Sequence, residues 1–293
     1  MCDSLVALAP ATADGITLFA KNSDRPPGEP QIVEWSMPRV EAATRVTHIT
    51  IAGHVDAEGL SAPTVRCLIE RPQWCWGAEH GVNEFGVAIG NHTIYTTLDP
   101  RGFPDALIGM DLVRLGLERA TTADSALSVM TALLERYGQG GSGHDRMIVG
   151  KDKPYWSSFL IADPTDAWIL ETSGRTWQAE RVHDTAAVSN RTCIPSFDAA
   201  HRHPGQPVER LIDPRLRASQ AVLADRPVSV DSIAAHLRSH DSCVADGWSV
   251  CMHVNDVEAT TSSMIAELPT TGPPTVWMLV GSPCQHQYER HTF

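Results

Sequence analysis

Four residues near the start of the chain are of types that could do chemistry together, Cys2, Lys21, Asp24 and Arg25, with the main-chain nitrogen of Cys2 as a fifth group. Cys2 directly follows the initiator Met, and a residue that small ordinarily permits removal of the Met, which leaves a chain beginning with free cysteine. Such a residue carries a thiol and an unblocked α-amine. The amine titrates near pH ~8 and the thiol near ~8.5, so at neutral pH the amine can take the thiol proton without a histidine. The plainer reading is a small apolar residue at a frayed end. Asp24 and its neighbours favour the chemical one. A hairpin folded at Asp14-Gly15 brings residues in the low twenties alongside residues 2–5. A carboxylate there can hold an α-ammonium and a cation can favour a thiolate. Against this, each charge is of a type that also sits on solvated surfaces.

Two asparagines are further candidates. Asn91 ends an apolar strand in the glycine-rich segment 74–92, which has a turn at residues 83–86, and Asn190 ends a strand at 186–189. At a sheet rim an amide can donate to a developing oxyanion. For Asn91, an Asn that merely closes a turn is an equally good explanation.

The elements that must position these groups follow from periodicity and punctuation. Residues 3–8 and 16–20 are short apolar runs that pair across the Asp14-Gly15 turn. Strands are expected at 31–35 and 46–51, extending the same sheet, then a meander over 157–182 with turns at 163–166 and 173–174. Helices are expected at about 105–120, from Thr121 (with Asp124 as a capping-box variant) to just before Gly138, at 214–224 and at 229–240. Residues 248–253 and 275–280 supply closing strands.

Several familiar motifs fail on context. The glycines of 138–143 match G-x-G-x-x-G by letter, but they follow a helix and no Lys-Ser or Lys-Thr pair ends them, so a loop is expected rather than a phosphate site. The position two after Ser142 is His144, not Gly, which excludes a nucleophile elbow. His236 and His240 are four apart with Cys243 nearby, but Leu237 stands where a zincin carries Glu, so a solvated helix face is expected and no metal or other cofactor.

With 293 residues, 42% hydrophobic and 20% charged, the chain has a globular composition and can build a large core. A net charge of −12 argues against nucleic acid as a partner. No stretch approaches the ~18 apolar residues of a membrane helix and no basic-then-apolar leader precedes Cys2, so a cytoplasmic protein with no membrane partner and no lipidated Cys2 is expected. Seven scattered cysteines, an odd number, fit reduced thiols.

Laid out in order, the pieces resemble those of the secernin-type dipeptidases, a branch of the N-terminal nucleophile (Ntn) hydrolases, over essentially the whole chain. They are Cys2-Asp3 with the Leu-Val-Ala-Leu run, Lys21-Asn22-Ser23-Asp24-Arg25, residues 76–79 through Gly90-Asn91, the 109–115 helix, 168–172, Ser189-Asn190, Val250-Cys251-Met252-His253, 260–264 and Pro283-Cys284. The resemblance implies a single α+β domain over residues 1–293 with the four-layer αββα sandwich, two antiparallel sheets between helical layers. It implies cleavage of an amide bond in a dipeptide or similar small substrate. Cys2 is then the nucleophile with its own α-amine as base, Asp24 orients that amine, Lys21 is the cation near the thiol, and Asn91 and Asn190 stabilise the oxyanion. The related penicillin and bile-salt amidases carry Arg where this chain has Lys21, a departure that favours the dipeptidase branch. Their late arginine has two candidates here, Arg215 and Arg217. An N-acyl amidase, or a non-catalytic interaction protein like the animal secernins linked to exocytosis, is the alternative, and a homo-oligomer is left open.

Overall fold

The computed structural model describes all residues except 41–44, 51–62, 207 and 242–246. The strands, in chain order, are β1 (Cys2–Ala7), β2 (Thr17–Arg25), β3 (Gln31–Ser36), β4 (Cys67–Pro72), β5 (His80–Asn83), β6 (Ala88–Ile94) and β7 (Trp156–Ala162). After them come β8 (Ala167–Ser173), β9 (Thr176–Val182), β10 (Thr185–Val188), β11 (His253–Val254), β12 (Glu258–Leu268), β13 (Thr275–Val280) and β14 (Glu289–Thr292). The helices are α1 (Gly109–Leu117), α2 (Ala123–Tyr137), α3 (Arg146–Val149), α4 (Pro195–His201), α5 (Val208–Leu211), α6 (Asp213–Ala224) and α7 (Val230–Leu237).

The strands form two antiparallel sheets. One runs β10-β1-β2-β12-β13-β14, with β11 paired to β12, and the other runs β3 to β9 in sequence order. Val6, Phe19, Leu68, Val82, Trp156, Leu160 and Met264 are among the apolar side chains that fill the space between them. Helices α1 and α2 cover the outer face of the second sheet through Leu112, Leu115, Met130 and Leu134. Helices α6 and α7 cover the first through Leu223, Ile233 and Leu237. The order is helix, sheet, sheet, helix, the four-layer αββα sandwich of the Ntn hydrolases. Among the described residues no helix is long and apolar enough to cross a membrane.

The first hairpin forms as its sequence dictates. Gly15 takes φ +64°, and the register pairs Cys2 with Ser23, Asp3 with Asn22 and Ala7 with Leu18. All six residues of β1 and all nine of β2 are buried. Strand β2 therefore has two halves. Its Thr-Leu-Phe-Ala start joins the core, whereas its Lys-Asn-Ser-Asp-Arg end puts five polar side chains where burial is costly unless each finds partners.

Several local expectations are corrected. The run 31–35 is a strand but lies in the second sheet, away from the first hairpin. Residues 46–50 form bends and a bridge between Arg45 and Thr50 rather than a strand, and residue 51 lies outside the described residues. The first helix starts at Gly109, not near 105, and the second is capped by Thr122, whose hydroxyl accepts from Ser125 N at 3.1 Å. The glycine-rich segment holds two strands, β5 and β6, and Asn91 sits inside β6 instead of at its end. The glycines of 138–143 do form a loop. Of the expected strand 248–253 only His253 is strand, and the long β12, which pairs with β2 along its length, was not among the expected elements.

Candidate active site

Of the groups predicted at the head of the chain, Cys2, Asp24 and Arg25 meet at one cavity between the sheets, and Lys21 lies behind its lining, beside Glu79. Met1, Cys2, Asp24, Arg25, Glu79, Asn91, Thr93, Gly143, His144 and Tyr155 line it. With Met1 in place its volume is only about 20 Å³, room for little more than one water.

Cys2 is 5% exposed. Burial pushes its thiol up, Lys21 and the terminal ammonium pull it down, and Glu79 and Asp24 push it up again, leaving it above an ordinary thiol. A protonated thiol of this kind needs a base. Its nitrogen, here in the peptide bond to Met1, donates to Asn190 Oδ1 at 2.8 Å.

Lys21 is fully buried, and its Nζ donates to Ser23 Oγ at 2.5 Å and lies 3.7 Å from Glu79 Oε2. Burial works against its charge, but Cys2, Glu79 and Glu70 outweigh it and hold the ammonium above its ordinary value. A backbone without a side chain makes the room: a Cβ on Gly90 would meet Lys21 Cδ at 2.7 Å. Arg25 is committed elsewhere, to Glu29, Glu79 and, at 2.7 Å, the carbonyl of Gly143, so it ties the glycine loop to the cavity wall.

Asp24 is 2% exposed. Its Oδ1 accepts from Thr260 Oγ1 at 2.7 Å and its Oδ2 lies 3.6 Å from Arg215. A register shift in β12 between Thr260 and Ser262 aims Thr260 at the carboxylate. Burial raises Asp24 to about 7, while the terminal ammonium, Arg215 and Thr260 hold it down. The folded protein therefore keeps a proton that the unfolded chain releases between about pH 4 and 7, and this group's contribution to stability falls as pH rises through that window. Removing the Thr260 hydroxyl takes away one of the downward influences. In Thr260→Val the acidic limb of the pH–rate profile is expected to move to higher pH, with activity at neutral pH down by roughly tenfold, the worth of about one hydrogen bond to a charged group. An unmoved limb would separate Thr260 from Asp24.

The two asparagines differ. Asn91 Nδ2 donates to Tyr155 Oη at a long 3.4 Å, and a Cβ on Gly109 would meet Asn91 Oδ1 at 2.4 Å, so the start of α1 must be glycine for Asn91 to sit there. Asn190 turns its oxygen to Cys2 N, receives Arg215 Nη2 on the same atom at 3.0 Å, and spends Nδ2 on Thr93 O at 3.0 Å. In this arrangement the Asn190 amide oxygen grips the nitrogen of Cys2 and its Nδ2 is spent on Thr93, whereas the Asn91 Nδ2 has only the long contact to Tyr155.

Of the two late arginines, Arg215 enters the site and Arg217 faces solvent. Arg215 is fully buried and its Nη1 donates to Asp3 Oδ2 at 2.6 Å. Glu79, Tyr155, Thr260 and Glu258 also border the site, and no spacing rule singled them out, although Glu79 and Thr260 stood within motifs that carry the resemblance. The Met1 ammonium rests on Glu258 and donates to Asp24 O at 2.7 Å. Burial works against that ammonium, but Glu258, Cys2 and Asp24 outweigh it and raise it above an ordinary terminus. His236, expected on a solvated helix face, is buried. His236 turns into the core against Ser219 Oγ at 2.9 Å, and Cys243 lies outside the described residues.

Solved structures share this architecture. A Cys2-to-Ala mutant of the conjugated bile acid hydrolase from Clostridium perfringens aligns over 100% of this chain and 96% of its own, at 12% identity and a TM-score of 0.56. Penicillin V acylase from Agrobacterium tumefaciens aligns over 95% and 83%, at 12% identity and 0.56. The Caenorhabditis elegans ortholog of N-acylethanolamine-hydrolyzing acid amidase aligns over 95% and 100%, at 11% identity and 0.52. At such identities these likenesses speak for the fold. Residues 1–204, which hold Cys2, Lys21, Asp24, Asn91 and Asn190, match the family model described as Peptidase family C69, and the chain belongs to that family.

Proposed function

We propose that the chain, once Met1 is removed, hydrolyses dipeptides or similarly small peptides through an acyl-enzyme on Cys2, as a secernin-type dipeptidase. The freed α-amine of Cys2 takes the thiol proton, and Lys21 stabilises the thiolate. Sulfur attacks the substrate carbonyl, and Asn91 donates to the oxyanion that forms. The protonated amine, gripped by Asn190 and oriented by Asp24, then gives its proton to the leaving amine as the C–N bond breaks. Water enters, the same amine takes its proton, and the thioester is hydrolysed.

The observation that carries the substrate class is the Met1 ammonium on Glu258. This is a carboxylate at the mouth of the cavity engaged with an α-ammonium, a group that peptides possess and N-acyl amides lack. After Met1 leaves, a substrate ammonium fits the same place. In Glu258→Gln, KM for free dipeptides is expected to rise by roughly 10- to 100-fold, the worth of a hydrogen bond to a charged group, while N-acetyl dipeptides are unaffected. Equal effects on both substrate sets would overturn the assignment and favour an N-acyl amidase. Intact mass checks the processing step: a retained Met1 keeps the Cys2 nitrogen an amide and favours a non-catalytic interaction protein.

A further inference from the structure

Four soft donors meet away from the Cys2 cavity, on loops at the edge of the first sheet. His240 comes from just beyond α7, Cys251 and His253 from the run entering β11, and Cys284 from the turn after β13. One ligand atom from each lies within 4.8 Å of all the others. His253 Nε2 is 3.4 Å from Cys251 Sγ and 3.2 Å from Cys284 Sγ, and the two imidazole centroids are 5.2 Å apart. None of the four takes part in the chemistry at Cys2.

We propose that His240, Cys251, His253 and Cys284 form a structural zinc site. Two thiols and two imidazoles suit a borderline-soft ion without geometric preference, whereas calcium and magnesium call for oxygen ligands, which this set does not offer. Zn–S bonds of about 2.3 Å and Zn–N bonds of about 2.0–2.1 Å give a tetrahedron with edges of roughly 3.3–3.8 Å. The two contacts of His253 with sulfur are already close to those edges, and the other atoms close in from at most 4.8 Å. Four protein ligands leave no open position for water or substrate, which is the mark of a structural site. Both thiol protons are released as the ion binds.

The surroundings are already laced together. Arg238 Nε donates to Pro283 O at 2.9 Å, and Cys251 N donates to Ser239 O at 3.0 Å. Met252, between two of the ligands, donates its N–H to Thr260 Oγ1 at 2.8 Å, the same hydroxyl that supports Asp24. A metal here would fix the backbone behind that support without touching the substrate. A Cys251–Cys284 disulfide would use the same sulfurs, but it would leave unexplained why two imidazoles converge on them.

The test is metal content and spectroscopy on the full chain, reduced, equilibrated with ZnCl2 and desalted. About one Zn²⁺ per chain is expected. Co²⁺ in its place should give a sulfur-to-metal charge-transfer band and intense tetrahedral ligand-field bands. His240→Ala, at an exposed position that the fold tolerates, should weaken Zn²⁺ binding by at least ~10-fold, and Cys284→Ser should also abolish part of the charge-transfer band. The proposal is overturned if the reduced chain retains no more Zn²⁺ than His240→Ala/Cys284→Ser. A pale, octahedral Co²⁺ spectrum would overturn it too, as would a Cys251–Cys284 disulfide in protein that takes up no metal after reduction. All these readouts stand whether or not the chain cleaves peptides.

Discussion

Replacing Cys2 by Ala is expected to reduce peptide hydrolysis by at least roughly 10⁴-fold, the scale of nucleophile loss in other covalent hydrolases, while the protein stays folded. The reason for the size is that, among the described residues, no other thiol lies in place to substitute. Of the other described cysteines, Cys67, Cys75 and Cys251 are buried, and none of the described ones lines the cavity. His80 and His92 are fully buried and held well below an ordinary imidazole, chiefly by burial and then by Lys21, so they are neutral and already bonded to Ser23 and Ser4. The fold should survive because alanine fills most of the same volume; loss of one buried sulfur costs about 1 kcal/mol. Cys2→Ser is the informative companion. It keeps size and hydrogen bonding but presents a hydroxyl far harder to deprotonate, and it should lose most of the activity too. Thermal melts within a few degrees of the parent, alongside steady-state rates on a dipeptide library, decide the matter, and parental turnover in either variant would end the mechanism.

The second large effect is on stability. Arg215→Met is expected to lower the unfolding free energy by about 3–5 kcal/mol, the usual result of removing one side of a buried ion pair. Arg215 is shared by Asp3 at 2.6 Å, Asp24 at 3.6 Å and Asn190 at 3.0 Å, all buried. Without it two carboxylates face each other with no compensating cation on that side. Protonation relieves this, so the deficit should shrink toward about pH 5 and grow toward pH 8. Arg215→Met with Asp3→Asn should regain part of the loss, and Arg215→Lys should recover charge but not the fork that reaches Asp3 and Asn190 together. Urea titrations at the two pH values test this; a deficit under ~1 kcal/mol, or one independent of pH, would show that the network is not held by charge.

Local signals made much of this readable in the sequence. The first hairpin announces itself through Asp14-Gly15, and its length alone carries Asp24 back to Cys2. The meander of β7, β8 and β9 is equally local. What failed were features that depend on distant partners. The run 46–51 alternates like a strand, but its described residues, 46–50, form bends closed by a single bridge between Arg45 and Thr50. Strand β12 mixes Glu, Thr and Ser with Met and Ile and has no clear edge signal; it is a strand because β2 lies beside it. Thr260 stood in a motif of the resemblance, but its contact with Asp24 could not be read from it. Arg215 and Arg217 could not be separated from sequence because α6 has no strong apolar stripe to set its phase. Nor does any spacing rule connect His240 to Cys284, since three separate loops bring the donors together. The resemblance placed Asn190 in the site, but which end of its amide faces Cys2 is a matter of geometry.

The plug that Met1 forms over Cys2 has a consequence for anyone handling the protein. On the mechanism proposed above, any copy that keeps Met1 is dormant, because that residue fills the cavity over Cys2 and holds its nitrogen in a peptide bond, and activity waits on removal of Met1. Strong overproduction can outrun that clipping and yield a mixed population, so rates divided by total protein would understate the competent enzyme. Titrating reactive ends with a thiol-directed probe, rather than weighing protein, gives the proper denominator.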